Sequence, residues 1–360
     1  MIDLQLNYPI VQGQEELFTR LLREIVAADA TQSVELGPRG GSDEHRQAAA
    51  GWLSRNGHVV AKARVLFCNG GHHAVMVSLL AVGLTGRRVA VDPVTYGNFK
   101  TQAASLGIEL LPCEGDEQGM KPGALAQAAE SRGLRAVYLM PTVHNPMGTV
   151  MPETRRREIC EVARRHNLVI LDDDAYSFTV ADPPPSFAVL APERGFSVWS
   201  FTKPFAPVMK LAFLTFPQQY REELTTMIDL TSGGAPAIFA EMAARLIRSG
   251  EMAGLLAAKR DEAARRQTLA RAILDGLKVQ GYPTSYHLWI ELPEDQPASA
   301  VAEQLKADGV LVSSSDAYRA TSRVKANGLR IALGGVRKLD TLQEGLQRVR
   351  DRIRVRAFAS

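Results

Sequence analysis

Ser200-Phe201-Thr202-Lys203 follows the apolar pair Val198-Trp199, and Pro207 stands a few residues on. A lysine that closes a buried strand is costly unless chemistry uses it. Here one amine lies beside two hydroxyls, Ser200 and Thr202. That grouping suits a carbonyl compound carrying a phosphate: the amine adds to the carbonyl and the hydroxyls face the anion. S-x-[ST]-K is a short pattern, and a solvated surface lysine is the alternative, so the partners elsewhere decide.

Leu168-Val169-Ile170-Leu171 is an apolar run ending in Asp172-Asp173-Asp174-Ala175-Tyr176. Three successive carboxylates repel one another unless cations or hydrogen bonds offset them. If the carbonyl compound is pyridoxal 5′-phosphate (PLP), a carboxylate such as Asp173 keeps its ring nitrogen protonated, and the ring becomes an electron sink. Tyr176 then reaches the phenolic oxygen. An acidic metal cluster or a solvated loop is the competing reading. Asn145, in Pro141-Thr142-Val143-His144-Asn145-Pro146-Met147-Gly148, offers an amide to the same oxygen. Pro146 and Gly148 make a sharp turn there, and the Asn145–Pro146 bond is expected to be cis.

Gly70-Gly71-His72-His73 follows a strand and opens a helix, so backbone N–H groups can approach a phosphate. Adjacent histidines point different ways on a helix and no third ligand is spaced for zinc, so no metal is expected. In Asp92-Pro93-Val94-Thr95-Tyr96-Gly97, Tyr96 is placed to stack on a ring or simply to pack. Arg330 lies inside the apolar run Gly328–Leu333 and needs an anionic partner if buried: an amino-acid carboxylate or an internal carboxylate.

The elements that must position these residues alternate. Strands are expected at 65–68, 88–92, 108–112, 136–140, 168–172, 197–200 and 211–216, and helices near 73–83, 97–106, 122–132 and 153–166. This is an α/β pattern with a mainly parallel sheet and helices on both faces. Ligands of such sheets bind beyond the carboxyl ends of the strands, where most of the candidates fall. The last third reads as a smaller α+β domain. It has a long helical region at 240–277, a strand at 287–292, a helix at 298–308, strands at 310–313 and 330–333, and a final helix striped by Leu342, Leu346, Val349 and Ile353. Arg348, Arg350, Arg352, Arg354 and Arg356 read as its solvated face. An amphipathic helix at 15–29 is expected to pack on this second domain or on a partner subunit.

A length of 360 residues allows a large core and two domains. The net charge of +3 is too small to support nucleic-acid binding. Cys68, Cys113 and Cys160 lack metal spacing and suggest reduced thiols in a cytoplasmic protein. Neither a signal peptide nor a membrane-spanning run is expected.

In this order along the chain, N-P-x-G, D-x-x-Y, S-x-[ST]-K and a late arginine resemble the fold-type I PLP-dependent aminotransferases of class I/II. The resemblance runs from Leu6-Asn7-Tyr8-Pro9 to the final helix. It is closest to the α-aminoadipate/kynurenine-type enzymes and to the aminotransferase-like domain of MocR-type regulators. It implies a large PLP-binding domain over 42–245 and a small domain from 1–41 and 246–360. It implies that Lys203 holds PLP as a Schiff base, Asp173 pairs with the ring nitrogen, Asn145 and Tyr176 bond the phenolic oxygen, and Tyr96 stacks. Gly70, Gly71, His72, Ser200, Thr202 and Lys210 would surround the phosphate. Arg330 would clamp a substrate carboxylate, with Tyr8 and Arg39 near the substrate side chain and His45 and Tyr318 as weaker candidates. A homodimer acting on an amino acid and a 2-oxo acid follows.

Three departures stand out. Lys210 occupies the place of a phosphate-gripping arginine, Gly71-His72 replaces small hydroxyl and glutamine residues, and Met147 replaces threonine. Transamination is the favoured function. The alternatives are a PLP-dependent lyase, decarboxylase or oxidase on the same scaffold, and an effector-sensing regulator domain. Too few residues precede Gly70 for the winged-helix domain such regulators carry.

Overall fold

Seven apolar runs pair into one sheet, in the order Val65–Cys68, Ala212–Thr215, Gly195–Ser200, Val169–Asp173, Ala136–Leu139, Arg88–Val91, Glu109–Pro112. Only Ala212–Thr215 runs antiparallel to its neighbours. The structure, a computed structural model, describes residues 1–29, 37–55 and 57–357, and their side chains except those of 131, 132 and 354–357. The strands fall within two residues of the expected runs, so the α/β expectation holds.

The strands are apolar throughout because both faces are covered. Alternate side chains go to opposite cores: Tyr138 and Leu171 to one, Val137, Leu139 and Ile170 to the other. The helices Gly71–Ala81, Gly97–Ser105, Pro122–Arg132 and Glu153–Arg165 fill the expected positions between strands. A second sheet pairs Val279–Gln280, His287–Glu291, Gly328–Ala332 and Ser313–Ser314, all antiparallel. Leu342, Leu346, Val349 and Ile353 bury the last helix against it.

Several expectations need correction. The helical region at 240–277 is two helices, Ala237–Arg248 and Glu251–Ile273, because Gly250 takes a left-handed φ of 79° between them. The strand expected at 310–313 is two short pieces. Val310–Leu311 pairs with Ile2–Asp3, and Ser313–Ser314 pairs with Gly328–Ala332. The helix Gln14–Ala28 buries Leu21 and Ile25 in the core cluster of the large sheet, which also takes in Met252, Leu255 and Leu256 of the C-terminal part, and Phe18 packs 5.7 Å from Phe205. Ion pairs, such as Glu15 with Arg337 at 2.9 Å, also tie that helix to the C-terminal part.

On the final helix, Arg348 pairs with Glu344, Arg350 with Asp351 and Arg352 with Asp308, as a solvated face should. The side chains of Arg354 and Arg356 lie outside the described residues. Cys68, Cys113 and Cys160 are buried free thiols. No helix among the described residues is long and apolar enough to cross a membrane.

Gly195 opens the strand that ends at Ser200, and a Cβ there would stand 2.2 Å from the Phe187 carbonyl oxygen. Gly195→Ala must therefore push two backbones apart. Its unfolding free energy is expected to fall by about 2 kcal/mol or more, read by urea denaturation. An unchanged midpoint would show that the strand edge gives freely.

Candidate active site

The carboxyl ends of the parallel strands meet at one edge, and the antiparallel strand enters from that same edge just after Lys210. A cavity of about 180 Å³ lies there. Its lining includes Lys203, Asp173, Tyr176, Asn145 and Tyr96. It also includes Gly70, Gly71, His72, Ser200, Thr202, Lys210 and Tyr8. Of the expected site residues, Arg330 and Arg39, with the weaker candidates His45 and Tyr318, are not part of the wall.

The carboxylate trio is resolved by strand alternation. Asp173 points into the cavity and accepts a 2.8 Å hydrogen bond from the Tyr138 hydroxyl. Burial, reinforced by Asp173, raises the Tyr138 pKa, so that hydroxyl remains a donor. Phe99 stacks on Tyr138 at 3.5 Å and fixes its ring. Asp172 faces the other side, where it accepts from the Phe187 N–H at 3.0 Å. Burial raises the pKa of both Asp172 and Asp174.

Asn145 sits on a tightly held turn. Its bond to Pro146 is cis, as expected. Val143 takes a φ of 56°, a conformation costing about 1–3 kcal/mol for a β-branched residue. The Arg156 guanidinium, fully buried, secures the turn by donating to Thr142 Oγ1 at 2.9 Å and to the Pro141 carbonyl at 3.1 Å. Asn145 Oδ1 is buried and has no hydrogen-bond partner.

At the opposite wall, the helix Gly71–Ala81 starts without a side-chain cap, and Gly70 holds a φ of 91°. A Cβ on Gly71 would stand 3.3 Å from Ser200 Cβ, so glycine lets the helix start approach the serine closely. Ser200 Oγ and Thr202 Oγ1 are 3.0 Å apart. The Lys210 backbone flanks Gly70. Tyr96 does not stand alone: its hydroxyl is 2.8 Å from His72 Nε2 and 3.1 Å from Asn98 Nδ2. Partial burial, opposed by Asp173 and helped by Lys203 and Lys210, lowers the His72 pKa.

Lys203 Nζ lies 5.0 Å from the Tyr176 ring centre. Behind Tyr176, Arg330 is buried, donates to the Gln5 carbonyl at 2.8 Å and leaves Nε without a partner. Among the described residues no carboxylate pairs with it. Asn7, not singled out from the sequence, joins the group. With its amide oxygen turned inward it accepts from Arg330 at 3.3 Å and from Tyr176 at 3.2 Å, and it donates to the Tyr286 carbonyl at 2.9 Å. Arg39 stands apart: it is exposed and pairs with Asp229 at 2.8 Å. His45 pairs with Glu241 at 3.2 Å, and Tyr318 is buried beside Arg330. Leu36, three positions before Arg39 in the sequence, lies outside the described residues.

These residues fit PLP. The close approach at Gly71, the uncapped helix start and the carboxylate facing an amine across one cavity match its phosphate, ring and carbonyl.

Comparisons with known proteins agree. The family model Aminotransferase class I and II matches residues 1–349, and the chain belongs to that PLP-dependent family. An HTH-type transcriptional regulator of Bacillus subtilis is 26% identical over 97% of this chain and 76% of its own length. Four further regulators are spanned over 61–63% of theirs. Aromatic-amino-acid aminotransferase 1 of Thermococcus litoralis is 22% identical over 94% of this chain and 84% of its own. The kynurenine aminotransferase of Pyrococcus horikoshii superposes with a TM-score of 0.89 at 20% identity, over 99% of this chain and 91% of that one, and so shares the fold.

The N-terminal segment that brings Asn7 and Tyr8 to the site is held at Pro9, whose carbonyl accepts from Lys259 Nζ. Lys259 is fully buried, and burial pushes its pKa down to about 7 from 10.5. Across that window the unfolded chain binds a proton that the native state has released, so raising the pH stabilises the native state. Lys259→Met removes this dependence. The stability of the wild type relative to the variant should rise as pH increases through the window, read by denaturant titrations at several pH values. A constant difference would refute it.

Proposed function

We propose that this chain is a transaminase, moving an α-amino group from an amino acid to a 2-oxo acid. The carrying observation is that Lys203, Asp173, Asn145 and Tyr176 face one cavity while the buried Arg330, with no carboxylate partner among the described residues, stands behind Tyr176. PLP, when bound, withdraws electrons from the amino acid's Cα and makes its C–H bond acidic. Lys203 Nζ would hold the cofactor and carry the proton to and from Cα. Asp173, oriented by Tyr138, would keep the ring nitrogen protonated. Asn145 would donate to the phenolic oxygen, as would Tyr176 with its proton turned there from Asn7, and Tyr96 would cover the ring.

Gly70, Gly71, His72, Ser200, Thr202 and Lys210 would seat the phosphate. Arg330 would grip the α-carboxylate, which favours C–H cleavage over loss of the carboxylate, and Tyr8 would border the substrate side chain. The family resemblance extends this reading to a cytoplasmic homodimer with its sites at the subunit interface. The similarity to HTH-type regulators supports a second reading, in which the same site senses an amino acid without turning it over.

One experiment separates these readings. The PLP-loaded protein is mixed with a panel of amino acids while the cofactor spectrum and the products are followed. Conversion to the amine form of the cofactor with release of a 2-oxo acid is expected. A spectral change without product supports the sensor, and ammonia, carbon dioxide or peroxide without the amine form would sink transamination. Lys203→Ala should lose the visible band of lysine-bound cofactor. Arg330→Lys should lower kcat/KM by about 10- to 100-fold, since a bidentate fork is replaced by a point charge.

A further inference from the structure

His287 opens the strand His287–Glu291 of the small sheet and is fully buried, yet it is not part of the cavity wall. Its Nε2 lies 2.9 Å from the backbone carbonyl oxygen of His144. A carbonyl only accepts, so Nε2 carries the proton and Nδ1 holds the lone pair. Nδ1 is buried and has no hydrogen-bond partner. The ring also meets Tyr176 edge-on, with centroids 5.0 Å apart and planes at 61°. Burial, with help from Arg330, pushes its pKa down to about 3, so the ring stays neutral and its single donor stays on Nε2.

One side chain of the small domain thus touches both supports of a single point. His144 is bonded directly to Asn145, whose amide lines the cavity, and Tyr176 presents its hydroxyl on the other side. Both are the residues placed at the phenolic oxygen of the cofactor. We infer that His287 is a positioning residue: through the His144 carbonyl and the Tyr176 ring it holds the Asn145 amide and the Tyr176 hydroxyl at the phenolic oxygen, and so tunes the proton affinity of the nitrogen joining Lys203 to the cofactor. The inference rests on the PLP reading above. Hydrogen bonds to an anionic oxygen favour the deprotonated state of the pair, so loosening them raises the pH at which that nitrogen loses its proton.

The test titrates the visible absorption of the holoenzyme against pH. His287→Phe keeps a ring against Tyr176 and removes the donor. His287→Gln places an amide N–H near the former Nε2, and His287→Asn is too short to reach. The absorption midpoint is expected to rise by about 0.5 unit or more in His287→Phe and His287→Asn. It should stay near the wild-type value in His287→Gln, and kcat should fall more than KM changes in the two shifted variants. The Gln and Asn pair carries the test if His287→Phe does not fold. Unshifted midpoints in Phe and Asn variants that melt at lower temperature would overturn the inference and leave His287 a packing residue. A wild-type protein that develops no visible band with added PLP would overturn the cofactor reading itself, and that result is visible before any variant is made.

Discussion

The site depends on how one strand disposes of three adjacent carboxylates. Asp172, Asp173 and Asp174 close the run Val169–Asp173 and the turn after it, and a strand sends successive side chains to opposite faces. Two of the charges are therefore turned away from the third. Asp172 settles on a backbone N–H, close to the positive field of Arg156. Asp173 alone reaches the cavity, tied to the Tyr138 hydroxyl from the neighbouring strand. That bond satisfies one oxygen and leaves the carboxylate aimed. A buried carboxylate is expensive without such a partner. Its being kept beside an amine-bearing strand end makes the edge a chemical site and not merely a sheet terminus.

The second constraint is that the site is completed from far away in sequence. Arg330 lies opposite Trp289 in the small sheet, and the N-terminal segment hydrogen-bonds to the edge of that sheet through the Leu4 carbonyl and the Ala332 N–H. Asn7 then joins Arg330 to Tyr176, which belongs to the large sheet. Tyr176 is consequently held by groups from the chain start, the small sheet and its own strand end. Any shift of the small sheet acts on a ring 5.0 Å from Lys203 Nζ. The same coupling recurs at the Asn145 turn, where Arg156 supports one side from beneath and His287 the other.

Much of this was legible in the sequence because parallel strands buried on both faces are read as apolar runs. Their ends, marked by Gly70, Asp92, Asn145, Asp173 and Lys203, mark the ligand edge. What could not be read depends on through-space pairing. Tyr138 lies within an apolar strand, and nothing in its neighbours announces that its hydroxyl meets Asp173. Asn7 and His287 acquire their roles only from partners 169 and 143 positions away. The exposure of Arg39 and its pairing with Asp229 depend on where the helix carrying Asp229 comes to lie, which a glycine-rich loop does not encode. The helix Gln14–Ala28 was amphipathic as expected, but an apolar stripe does not specify which of two cores receives it.

At the end of the cavity lined by Gly70, Gly71, Ser200 and Thr202, Lys210 separates charge from direction. An arginine there would supply both through its planar fork, whereas a lysine is a hydrated point charge on a flexible stem. Lys210 is exposed and stands two residues before the antiparallel strand, with its backbone beside Gly70. Directional bonding to an anion must then come from elsewhere. The uncapped start of the helix Gly71–Ala81 offers oriented N–H groups, and the Ser200–Thr202 pair offers hydroxyls held 3.0 Å apart. The close approach at Gly71 brings these two sources together, since a side chain there would press on Ser200. A phosphate seated here would therefore be held chiefly by backbone and hydroxyl geometry, with Lys210 contributing field in place of shape.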